Sequence, residues 1–256
     1  MYNRIGHVQK LLCIAVGFAA VLLLWASILH AGLVSTVLLP WPSDVGRELF
    51  AMLGSQHFWH DLSGTVWTWL AGVFIGSLFG AFLGVALGLN RFVWAAAEPW
   101  VEFIRALPSV VLIPLVSLFM GVGVSSRLTA CALVVVVLMM ATSGTAIRST
   151  SAAHLRLATA WRATAVQRLL YFQLPAALSH MIIALKAGIP IALIVAVAAD
   201  MLIATEAGIG KIIMDSLAVF DTAKMYAAVL VVGLLGYIAS LVGSKIEILA
   251  LHWSGK

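Results

Sequence analysis

The sequence predicts an all-α integral membrane protein with six transmembrane helices, short interfacial helices and a basic cytoplasmic loop. Three observations carry this. Of 256 residues, 63% are hydrophobic and 10% charged, with a mean hydropathy of +1.10, whereas a soluble domain carries about a quarter charged residues. Apolar runs recur along the chain with no long polar linker, so 1–256 reads as a single transmembrane domain. The basic residues, finally, gather in alternate connections between those runs.

Leu11 to Leu39 contains no Asp, Glu, Lys or Arg. At ~1.5 Å per residue it is long enough to cross ~30 Å of hydrocarbon. A signal peptide would have an apolar core of about 7–15 residues, so the run is read as a first span near Leu11 to Gly32. Pro40 and Pro42 then break the helix, since neither can donate a backbone hydrogen bond. Ser43 or Asp44 is expected to cap a short amphipathic helix, Val45 to Leu53.

Leu62 to Asn90 forms the second span. It carries Gly72, Gly76, Gly80, Gly84 and Gly88 at strict four-residue spacing, a chain of overlapping GxxxG motifs that lets another helix approach closely. The blander reading is that glycine is merely common in membrane helices; the regular spacing favours a packing seam. Arg91 to Leu107 is interfacial, with Trp94 and Trp100 suited to the headgroup level. The third run, Ser109 to Met120, is short and interrupted by Pro114, so it is expected to borrow from Phe103 to Leu107 or to extend to Val124. A tight connection through Gly121, Gly123 and Arg127 leads to the fourth span, Leu128 to Ile147.

Arg148 to Ser179 is a long interruption carrying Arg148, Arg156, Arg162 and Arg168, with no carboxylate anywhere between Glu102 and Asp200. The fifth span follows, about His180 to Ala204, with Pro190 as an expected kink. Thr205 to Phe220 is too interrupted for a crossing and reads as a helical excursion. Lys224 to Val242 is the sixth span. With both termini inside, inner segments hold ten basic residues and outer ones four, Arg47, Arg127, Lys211 and Lys224, with Lys186 left within a span. That bias places both termini and the arginine-rich loop in the cytoplasm. The net charge of +5 has no basic run, so it fits anionic lipid and not nucleic acid. Cys13 and Cys131 lie in apolar runs and read as small core residues.

Several motifs together resemble one family. Leu38-Leu39-Pro40-x-Pro42-Ser43 precedes a short helix. Arg156-Leu157-Ala158-Thr159-Ala160-Trp161-Arg162-Ala163-Thr164 is followed by Leu174-Pro175-Ala176-Ala177-Leu178. Arg105 to Pro108, Gly121 to Gly123, Lys186, Asp200 and Gly208-x-Gly210 complete the pattern from Leu38 to about Ile248. The chain resembles the membrane permease subunit of ABC importers of the nitrate/sulfonate/taurine family. There the loop reads E-A-A-x-x-L-G-A-S before L-P-A-A-L; arginine here replaces the glutamate and the glycine, at Arg156 and Arg162.

The resemblance implies an ATP-driven importer for a small, anionic solute in a bacterial inner membrane. It further implies two ATPase subunits that bind ATP and Mg, a second permease chain, identical or homologous, and an external solute-binding protein. Segment 148–179 would then hold the coupling helix gripped by the ATPase, with Arg156, Ala158, Trp161, Arg162, Ala163, Thr164 and Pro175 as its coupling residues. No ATP hydrolysis, cofactor or metal is expected in this chain. Gly210-Lys211 lacks the upstream glycine and following hydroxyl of a phosphate loop. His57 and His60 near Asp61 read as an interfacial polar cluster, and His154 as a solvated loop histidine. Lys186, Asp200 and Glu206 are the pathway or gate candidates, since an ionisable group inside a membrane is costly. Lys186 also has a structural reading, snorkelling to water, and Asp200 could cap the gate or pair with another subunit. The alternative is a secondary transporter or channel subunit not driven by ATP. It would want mid-membrane ionisable relays or an inverted repeat, and the sequence displays neither.

Overall fold

The computed structural model describes residues 7–203 and 207–251, and no strand occurs among them. In chain order the helices are α1 (His7–His30), α2 (Pro42–Leu53), α3 (Gln56–Gly88), α4 (Arg91–Ala106), α5 (Leu112–Met120) and α6 (Val124–Arg148). They continue with α7 (Ala152–Ala160), α8 (Ala165–Arg168), α9 (Leu174–Leu202), α10 (Ile209–Ala218) and α11 (Thr222–Ala250). Among the described residues five helical runs are long and apolar enough to cross a membrane, and the bent α4–α5 pair makes a sixth if counted as one span.

Local chemistry sets the boundaries, several of which differ from expectation. Pro42 occupies the first turn of α2 and Trp41 its N-cap, with no side-chain cap bond. The helix therefore starts three residues before Val45, and neither Ser43 nor Asp44 is the cap, because proline needs no donor there and presets the helical φ. α3 begins six residues before Leu62, since its polar first turns extend the helix beyond the apolar run. Asn90 caps α4 by accepting from the backbone of Phe92 and Val93. The third span is not a continuous helix. Residues 91–106 and 109–120 meet at 91°, because Pro108 has no N–H and holds Leu107 extended at φ −69°, ψ 135°. α9 likewise begins within the arginine-rich loop. A π turn, Leu169–Gln173, joins it to α8, so that Ala165–Leu202 is one helical run of 38 residues. α9 continues through Pro190.

Contacts divide the chain into two units, Met1–Trp59 with Ile212–Val231, and His60–Lys211 with Val232–Lys256. In the first, Trp25 Nε1 donates to the Pro40 carbonyl at 3.1 Å, and its ring lies 5.9 Å from Tyr226. His30 stacks edge-on against Trp41 at 4.9 Å.

In the second unit α3 lies on α6 through its glycines. An added Cβ would sit 2.5 Å from Cys131 Cβ at Gly72, 2.6 Å from the Ala132 carbonyl at Gly76 and 2.5 Å from the Val136 carbonyl at Gly80. At Gly84 it would strike the Met140 carbonyl, and at Gly88 it would stand 2.8 Å from that of Gly144. Residues 132, 136, 140 and 144 advance in step with 76, 80, 84 and 88, so the two helices run parallel. Two parallel spans require the chain to return once between them, and the α4–α5 pair is what lies between. α9 runs antiparallel to α6, with Ala192 opposite Cys131 and Asp200 opposite Arg127. Val135, Ile147, Ala192, Val195, Ala196 and Ala199 are buried there.

Candidate functional site

Arg127 is the charged residue whose surroundings the sequence does not reveal. It stands in the first turn of α6 and is 3% exposed. Its Nη1 lies 2.6 Å from Asp200 Oδ1 and donates to the Ala207 carbonyl at 2.7 Å. Thr65 Oγ1 donates to the other Asp200 oxygen at 2.5 Å and accepts from the Ile209 backbone at 2.9 Å. Asp61 Oδ1 accepts from the Gly208 backbone at 3.2 Å. Thr65, Asp61 and Asp200 are 0%, 1% and 2% exposed. Burying a charge is tolerable only when it is paired and hydrogen-bonded, and this network supplies both. It ties α3, α6, the end of α9 and the start of α10 into one polar knot. Gly208 is required by proximity, since a Cβ there would lie 2.5 Å from the Asp200 carboxyl carbon.

Asp200 therefore has its partner within the chain. Lys186 also has one, as its Nζ lies 2.7 Å from Glu247 Oε2 of α11 with both side chains partly exposed. Pairing does not bring Lys186 and Asp200 together; they stand 14 residues, ~21 Å, apart along α9. Glu206 lies outside the described residues. Among those described, no group of three or more His, Cys, Asp or Glu could hold a metal ion.

The arginine-rich loop is ordered by its own caps. Ser151 accepts from the His154 backbone to open α7, and Thr164 and Gln167 cap α8 reciprocally. Between them the Ala163 N–H donates to the Ala158 carbonyl and the Arg162 N–H to that of Thr159, both at 3.0 Å. This double closure is a Schellman motif, whose first residue past the cap takes the left-handed conformation and is most often glycine. Arg162 fills that place with φ +52°, where an L-residue costs about 1–2 kcal/mol. Ala158 is buried, whereas Arg156, Trp161, Arg162 and Thr164 are exposed and Ala163 is half-buried. The Trp161 ring stands edge-on to Phe172 at 6.3 Å. Pro175 sits in the first turn of α9.

A parallel glycine seam, a broken span, a buried polar knot and a capped basic loop are set among helices long and apolar enough to cross a membrane. Residues 72–247 match the model of the binding-protein-dependent transport system inner membrane component, and the chain belongs to this family. It is 25% identical to the taurine transport permease TauC of Escherichia coli K12, over 95% of this chain and 90% of the relative. To the putative aliphatic sulfonates permease SsuC of the same organism it is 26% identical, over 93% and 89%. An inward-facing structure of the MetNI methionine ABC transporter superposes with a TM-score of 0.62 at 18% identity, covering 75% of this chain and 97% of that one. The chain is thus a non-catalytic, multi-pass inner-membrane permease subunit that forms the translocation pathway of an ATP-driven ABC importer, not a secondary transporter or channel. Such a subunit works with ATPase and binding-protein partners.

Proposed function

We propose that the chain moves a small organic anion of the sulfonate type, delivered by an external binding protein, across a bacterial inner membrane. The observation carrying this is the near end-to-end match to relatives named for taurine and aliphatic sulfonates, at 25% and 26% identity. Two ATPase subunits, holding ATP and Mg, and a second permease chain, identical or homologous, complete the complex. The ten-to-four distribution of basic residues supports cytoplasmic termini and a cytoplasmic loop 148–179, the coupling segment on which an ATPase docks. ATP-driven closure of the ATPases then pushes the loop. It shifts the inward–outward equilibrium only through contacts that differ between the two states. The test is uptake into proteoliposomes holding the assembled complex and its binding protein. ATP-dependent accumulation of labelled taurine, competed by ethanesulfonate, is the expected result; no competition by any sulfonate would reject the solute class.

A further inference from the structure

The loop presents an unusual surface for a segment outside the spans. Trp161 is 76% exposed, Tyr171 71% and Val166 65%, and Arg148, Arg156, Arg162 and Arg168 are all exposed around them. Among the described residues none of these arginines makes an ion pair, and the nearest carboxylates in sequence are Glu102 and Asp200. Arg156 borders a shallow hollow on α7 with Ala152, Leu155, Thr159 and Ala160. Aromatic and arginine side chains of this kind are those that anchor protein interfaces.

Arg162 sharpens the point. Its backbone conformation favours glycine, yet the residue there bears a guanidinium, which projects from a turn locked by two backbone bonds. A strained residue held by a rigid frame is a frequent mark of a functional site. Among the described residues the four positive charges have no carboxylate partner, so the complementary charge is to be sought on another molecule.

We propose that this loop is a charge-selective dock for an ATPase that presents carboxylates around an apolar socket, with Trp161 entering the socket and Arg156 and Arg162 gripping its acidic rim. The inference rests on the docking reading above and adds the chemistry of the partner. Guanidinium groups take carboxylates in bidentate fashion, and like charges on a wrong partner repel. The loop therefore excludes ATPases whose rims are basic and selects its own. Anionic lipid headgroups are the competing source of negative charge.

The experiment uses the full chain in phosphatidylcholine nanodiscs and the ATPase with which it assembles in its own organism, with affinity measured by biolayer interferometry. Wild type should bind, and binding should weaken steeply between 50 and 300 mM salt, roughly the range over which exposed charges become screened. Arg162→Glu and Arg156→Glu should each weaken binding about tenfold or more, and an ATPase rim carboxylate changed to arginine should restore the partner of Arg162→Glu. Arg162→Gly separates docking from folding. It relaxes the backbone, so its melting temperature should hold or rise while affinity falls. Equal affinities for wild type and both glutamate variants overturn the inference while leaving docking intact; no binding by wild type overturns both. Wild-type binding lost in phosphatidylglycerol discs but kept by Arg162→Glu assigns the arginines to lipid and also overturns it.

Discussion

Replacing Gly80 by alanine adds one methyl group at the middle of the α3–α6 seam. The new Cβ would lie 2.5 Å from the Val136 carbonyl oxygen, 2.9 Å from its Cα and 2.8 Å from Met139 Cβ. Even a favourable C–H···O contact needs about 3.3–3.6 Å, so the helices must part by roughly 1 Å. Neither the oxygen nor the Cα can swing aside, because both belong to α6 backbone. Nor can the strain be absorbed locally, since Gly76 and Gly84 also hold the α6 backbone in close approach on either side. Overpacking of this kind costs about 1–3 kcal/mol, which for a chain of this size lowers the melting temperature by roughly 2–12 °C. The control is Gly233→Ala in α11, where an added Cβ meets nothing within 4 Å. Both substitutions gain the same helix propensity, about 1 kcal/mol, so their difference isolates the contact. Thermal unfolding in detergent, followed by the monodisperse peak on size exclusion, reads it directly. If Gly80→Ala melts with Gly233→Ala, the seam is not under contact pressure and the reasoning fails.

Two further outcomes follow from the charges. Arg127→Met leaves Asp200 buried without its cation and should cost about 3–5 kcal/mol, whereas Lys186→Gln, at a pair 40% and 30% exposed, should cost below about 1 kcal/mol. Adding Asp200→Leu to Arg127→Met should recover part of the loss, and simple additivity in a thermal melt would refute the pairing. For the proposed orientation, single cysteines at 123 and 162 in a chain lacking Cys13 and Cys131 should differ in intact cells. The first should react with an impermeant thiol reagent and the second should not; the reverse pattern would invert the topology.

What could be read along the chain was whatever depends on near neighbours. Apolar runs announce spans because a bilayer demands ~20 such residues, and five glycines four apart announce a face without side chains. The break at Leu107–Pro108 was half legible: the proline was visible, but the run to either side was joined by length and not by direction. Helix starts at Pro42, Gln56 and Val124 came earlier than the apolar runs, since a helix continues past the hydrocarbon wherever its polar turns can be solvated or paired. The knot around Asp200 was hidden for a different reason. Arg127 and Asp200 stand 73 positions apart, and only the antiparallel register of α6 against α9 brings them together. Arg127 looked like an ordinary flanking charge because nothing within four residues reveals its partner. Glu247 was hidden from Lys186 in the same way, 61 positions away. Arg162 stands out in the sequence only as a departure from a motif; the positive φ that makes it costly is a property of the turn.

The unbroken run Ala165–Leu202 has a mechanical consequence. Its 38 residues make a shaft of ~57 Å at ~1.5 Å per residue. One end emerges from the turn that holds Arg162, and the other is fastened to Arg127. Lys186 meets α11 slightly beyond the midpoint and divides the run into arms of ~32 and ~24 Å. A push that tilts the shaft by roughly 5° would carry the loop end ~3 Å one way and the far end ~2 Å the other. Those few ångströms exceed what a 2.6 Å ion pair can follow while holding its geometry. Force applied at one rim of the membrane would be felt first, at the opposite rim, as tension on a single arginine.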